Sequence, residues 1–192
     1  MRKYFTRLTP NSHHWKKPSG TNGKCRAADS TKPLYEQTHG FGWEEWLLQD
    51  YHAGKVTCLG FLQAFNGQNE DVQSVDEIHL YTRICLGNKP KQYYVGYIRD
   101  VKVLTENQRA ASKEQKDSRL RELHDAEIID FQCKDPMWEK CFNIQFERKN
   151  VVLQENHLEN EINLNRGQFR FSLYDLNDHP NFLAEIKTFK TK

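Results

Sequence analysis

Two stretches restrict the fold more than any other part of this chain. EIHLYTRIC (Glu77–Cys85) and QYYVGYIRDVKVL (Gln92–Leu104) both alternate apolar and polar residues, and Gly87-Asn88-Lys89-Pro90 lies between them. Successive side chains of a strand point to opposite faces, so a period of two marks a strand with one face buried. Ile78, Leu80, Thr82 and Ile84 share one face, and His79, Tyr81 and Arg83 share the other. A short Gly/Asn/Pro turn between two such strands predicts an antiparallel hairpin. Gly96 inside the second strand marks a bulge or a close backbone approach. Around this hairpin, KYFTRL (Lys3–Leu8) reads as a first strand, Lys55–Phe65 leans to β, and Phe142–Glu147 and Gln168–Tyr174 read as further strands. Helices are expected at Trp43–Gln49, where Glu44 and Glu45 meet the N-terminal dipole, and from Glu106 to about His124 behind a Thr105 N-cap. A short one follows Asn177 or Asp178, with Pro180 in its first turn. The fold class is therefore α+β, with a mostly antiparallel sheet that curls into a small barrel.

A chain of 192 residues fits one domain, 1–192. No apolar run reaches the roughly 20 residues a membrane span needs. MRKYFTRLTP has charges without a following apolar segment, so neither a secretory leader nor a membrane partner is expected. Five cysteines, with no CxxC pair, argue against a cysteine zinc site and predict reduced thiols in a cytoplasmic protein. Charge is more telling. Arg2, Lys3, Arg7, Lys16, Lys17, Lys24, Arg26 and Lys32 face only Asp29 within residues 1–33, a local +7 in a chain of net +2. The loop 10–33 is rich in Pro, Ser, Gly, Asn and Lys, and loops of that length are often functional. A concentrated cationic segment is a footprint for a phosphate backbone, with Lys16, Lys17, Lys24 and Arg26 as phosphate ligands. The bland alternative is a solvated loop.

Aromatic residues gather near this loop: Trp15 within it, Tyr35 and Phe41 after it, Trp43 and Trp46 beyond, and Tyr81, Tyr93, Tyr94 and Tyr97 on the hairpin. Trp43 and Trp46, three apart, share one side of a helical turn. Such rings fill a core or wall a cage, and aromatic faces bind splayed-out bases at about 1–3 kcal/mol each. Trp46 is expected to pack inward and the Gly-Phe-Gly turn to shape a pocket rim. Asn11, Ser12 and His39 could read a base edge, and Glu44 or Glu45 could accept from a cytosine amine. No catalytic residues, metal ligands or cofactor are expected: HExxH, GxSxG, GxGxxG and the P-loop are all absent. One enzymatic alternative is a metal-dependent nuclease built on Glu185-Ile186-Lys187 with Asp175 or Asp178.

Three segments carry a resemblance. RKYFTRLTPNSHHW (Arg2–Trp15) is similar to the opening of the EVE branch of PUA-like domains, a strand ending in a Pro turn and followed by Trp. YYVGYIRDVKVL (Tyr93–Leu104) resembles the strand of such folds with an apolar-Val-Gly-apolar centre. GFGWEEWLL (Gly40–Leu48) looks like an element of bacterial proteins of modification-dependent restriction, where a reader domain precedes a nuclease. The resemblance covers residues 2–104 and implies a PUA-like (EVE/YTH-type) curved barrel with flanking helices. Residues 1–104 would form the core, and 105–192 would complete or extend the barrel. It further implies a non-catalytic domain that binds DNA with a methylated or hydroxymethylated base, flipped into an aromatic cage, for a fused or associated nuclease. A YTH-like RNA-binding module is the other reading.

Overall fold

The computed structural model describes residues 2–20, 24, 39–66, 69, 71–86, 89–128, 138–164 and 172–189. Strands β1 (Lys3–Leu8), β2 (Thr57–Gly60), β3 (Ser74–Leu86), β4 (Lys89–Val103), β5 (Ile144–Glu147), β6 (Val151–Leu153), β7 (Glu161–Ile162) and β8 (Tyr174–Asp175) form one mixed sheet. Among the described residues, the helices α1 (Gln49–His52), α2 (Lys113–Asp125) and α3 (Pro180–Ile186) accompany it.

The predicted hairpin is the centre of the sheet. β3 and β4 pair antiparallel from Ser74↔Lys102 to Leu86↔Lys89, and the register shifts between Leu80 and Tyr81, opposite Gly96. The turn residues Gly87 and Asn88 lie outside the described residues. Gly96 has φ +142°, and a Cβ there would stand 2.1 Å from the Val152 carbonyl oxygen. The glycine thus lets β6 reach β4, at Gly96↔Leu153. The outer edge of β4 is shared in series by β5, β6 and β7. On the other side, β1 runs parallel to β3 and antiparallel to β8.

The order β2-β5-β4-β3-β1-β8 is an open path, so the expected barrel is corrected to an open sheet. Closure would require the two edge strands to pair with a consistent stagger. Here β2 and β8 stand at opposite ends, with four and two residues respectively.

The alternation of β3 divides the core as its sequence implies. Ile78 and Leu80 join Leu8, Trp15, Val95 and Ile98 in one cluster. Tyr81 joins Phe5, Tyr94 and Phe182 in another, against α3. The His79–Tyr81 side is therefore covered rather than solvated. Each large apolar side chain so buried contributes about 1.5–3 kcal/mol as an upper bound.

Two helix expectations shift. Trp43–Trp46 is a single 3-10 turn, and α1 starts at Gln49. Glu44 and Glu45 do not face solvent at a helix dipole; both are buried and held by tertiary hydrogen bonds. Thr105 caps only the 3-10 turn Glu106–Gln108, and α2 begins afresh where Ser112 Oγ accepts from the Gln115 amide at 3.2 Å. The predicted start of α3, with Pro180 in its first turn, is observed. Cys58 and Cys141 are free and buried. Cys85 is disulfide-bonded, which corrects the expectation of five reduced thiols; pairing depends on spatial approach that spacing does not reveal. Among the described residues, no helix is long and apolar enough to cross a membrane.

Candidate nucleic-acid interface

The segment after β1 is folded around two side chains that point inward. Asn11 Oδ1 accepts from the amides of His13 and Trp15, at 2.7 and 2.9 Å, and Asn11 Nδ2 donates to the Lys17 carbonyl at 2.7 Å. Trp15 is 1% exposed, and its indole N–H donates to the Thr9 carbonyl at 2.8 Å. His14 and Trp15 have φ of +52° and +55°. Side chains rarely take this conformation, which costs about 1 kcal/mol or more per residue. The strain is held by the bonds just named and by Leu48, whose amide donates to the Trp15 carbonyl. Its effect is to sink Trp15 while His13, His14 and Lys16 face solvent.

Glu45 anchors this arrangement from below. It is fully buried and accepts from Asn11 Nδ2, the Ser19 amide and hydroxyl, and the Gly42 amide. It also pairs with Lys24 Nζ at 2.8 Å. Glu44 accepts from Thr9 Oγ1 at 3.0 Å. Gly42 makes this approach possible, because a Cβ there would lie 2.1 Å from Thr9 Oγ1. A carboxylate with this many donors satisfies the hydrogen bonding that a buried charge needs.

Above this frame Lys16 and Arg148 converge with exposed imidazoles. His52 Nε2 lies 3.1 Å from the His14 carbonyl oxygen. Burial holds the His52 imidazole below its ordinary pKa, and nearby His14, Lys16 and Arg148 add to this, although the His14 carbonyl contact opposes it. His13 is lowered by burial and then by Lys17, with smaller contributions from His14 and Lys16 outlasting the opposing pull of Glu45. Arg148 Cζ stands 5.3 Å from the Tyr51 ring centroid, and its Nε donates to the Tyr51 carbonyl. Tyr51 and Arg148 line a cavity of about 400 Å³ with Val56, Lys149 and Val151. Val56 is 77% exposed there. Beneath, His157 packs 5.3 Å from the Trp15 ring and 6.1 Å from the His14 ring. Desolvation and His14 push its pKa down to about 4.

The sequence-selected residues separate into three groups. Lys16 and Ser12 are exposed, Lys17 is half-buried, and His39 is exposed. Asn11, Lys24, Phe41, Trp43, Trp46, Trp15 and Tyr81 are buried. Lys24 also donates to the Gly20 and Gly40 carbonyls, so its charge is engaged inside the protein. Trp46 packs inward as expected, and so does Trp43. Tyr35 and Arg26 lie outside the described residues. Tyr94 donates to or accepts from His79 Nδ1 at 2.8 Å, while His79 Nε2 meets Glu77 at 3.0 Å, a covered network beneath α3. Burial alone would raise the Glu77 carboxyl, but hydrogen bonds from Lys3 and Arg99 outweigh it and keep it below the usual range. Glu185 sits in α3, where its carboxylate accepts from the Asn163 amide. Among the described residues no cluster of three or more acids, His or Cys is placed to hold a metal. Sequence reasoning missed Tyr51, His52 and Arg148, which lie far from residues 10–33 in the chain and carry no motif.

No protein-family model matches this chain, and no curated protein or solved structure does either.

Proposed function

We propose that this chain is a nucleic-acid-binding module that reads DNA bearing a modified base and leaves cleavage to a fused or associated nuclease. The observation that supports it is the meeting of His14 and Lys16 with His52 and Arg148 from distant parts of the chain, the His14 carbonyl oxygen lying 3.1 Å from His52 Nε2. Cations on a pinned loop neutralise phosphates, release counterions and set register without reading sequence. The cavity beside Arg148 and Tyr51 offers an apolar wall at Val56 and Val151, with Glu147 paired to Lys149 at its side. The PUA-like resemblance belongs to the same reading. Its segments fall on β1, on the 3-10 turn at Trp43 and on β4.

The test is fluorescence anisotropy with matched duplexes, unmodified or carrying methyladenine, methylcytosine or hydroxymethylcytosine. Tighter binding to one modified duplex is expected and names the base. Equal affinity for all four, or none, removes modified-base reading. Preference for single-stranded RNA moves the function to the RNA module.

A further inference from the structure

Arg119, on α2, is 1% exposed, and its guanidinium contacts two rings. Its Cζ is 4.7 Å from the Trp46 ring centroid and 4.6 Å from that of Phe142. The guanidinium edge is unmet: Nε and Nη1 are buried and have no hydrogen-bond partner among the described residues. Glu122, one turn away, is already engaged by Trp46 Nε1, Gln49 Nε2 and Ser118 Oγ. A guanidinium carries five N–H donors, and leaving them unpaired away from water is costly. Native proteins rarely tolerate this without a functional cause.

The surroundings suggest the cause. Trp46 and Phe142 belong to a cluster with Phe41, Trp43, Phe61 and Trp138. Three of its rings, Phe41, Trp43 and Trp46, belong to the set from which the sequence predicted a cage, while Trp15 and Tyr81 lie in the other two clusters. The helix that closes this cluster is held through buried Arg119 and Leu123, through Leu120 against the cluster, and through Glu122, which accepts from Trp46 Nε1 and Gln49 Nε2.

We propose that Arg119 is a built-in plug: its flat guanidinium occupies the slot at Trp46 and Phe142 that a flat heteroaromatic base takes when α2 moves away. This rests on the reading of the protein as a base reader and says where the base goes. A base presents the same flat π surface to the two rings. The displaced guanidinium recovers hydration of its unmet edge, and this offsets part of the cost of parting Glu122 from Trp46 and Gln49. Trp46 and Phe142 are then the stacking walls, and α2 is the lid.

The experiment titrates deoxyadenosine, deoxycytidine and their methylated forms into the full chain, with tryptophan fluorescence as readout. Arg119→Ala empties the slot, and at least one nucleoside is expected to bind it about ten-fold more tightly than it binds the wild type. A folded Arg119→Ala protein with no gain for any nucleoside overturns the plug. So does an Arg119→Ala protein that loses duplex affinity without gaining nucleoside affinity, since Arg119 would then be a phosphate contact. If Arg119→Ala does not fold, amide exchange on the wild type decides. Exchange across Leu120–Asp125 is expected to speed up when the preferred duplex is added, and unchanged protection in the bound complex overturns the plug. Wild-type duplex binding tests the function separately. Intact binding without a nucleoside gain removes the plug alone, whereas a nucleoside gain without any duplex binding keeps the slot and removes the DNA reading.

Discussion

His157 shows how a single side chain can couple this surface to pH. It is 7% exposed, packed on Trp15 and facing His14. In the unfolded chain the imidazole takes up its proton near 6.5, whereas in the folded protein it resists protonation until about 4. Its contribution is therefore whole above pH 6.5, declines as pH falls toward 4, and is lost below. The shift corresponds to about 3 kcal/mol at most. Urea midpoints measured near neutrality and near about pH 4.5 should differ less in His157→Phe than in the wild type. Equal differences in the two proteins would mean that the ring is not desolvated. Glu45 makes the complementary point. Its charge was legible in the sequence as a helix-start feature, but its five donors come from Asn11, Ser19, Lys24 and Gly42. Only the fold brings Ser19 and Asn11 to it.

At the scale of elements, the long strand β4 organises the molecule. One edge is paired continuously with β3, and the other receives three short strands in turn. Gly96 sits where β6 docks, with φ +142° and no room for a Cβ. Gly96→Ala is expected to cost at least about 3 kcal/mol, because strain at a special backbone position adds to a backbone clash. Gly54, with φ +78°, has open space around its Cβ position. Gly54→Ala should therefore lose much less, and chemical denaturation of the two variants side by side checks the contrast. A similar loss at both sites would show that β6 does not press on β4. The alternation that revealed β3 and β4 also identified their two faces. It could not show that the His79–Tyr81 face is covered, since burial there is supplied by Phe182 of α3, about a hundred residues on.

For the whole molecule, charge distribution and salt response are linked. If Lys16, Lys17 and Arg148 each neutralise one phosphate, replacing all three by Ala should flatten the slope of log affinity against log salt by about 3. Anisotropy titrations at several salt concentrations measure this, and an unchanged slope would place the DNA elsewhere. The sequence by itself determined the α+β class, the central hairpin, β1, the start of α3 and the cationic excess near the N-terminus, because these depend on local period, capping and composition. Tertiary structure alone decided the rest. It left the sheet open, since closure depends on which distant edges meet. It buried Trp15, Trp43 and Phe41, since a ring is core or cage according to what packs on it. It withdrew Lys24 into a pair with Glu45 and brought His52 and Arg148 to His14 and Lys16 of the loop. Each of these rests on contacts between residues remote in the chain, and such contacts leave no local pattern.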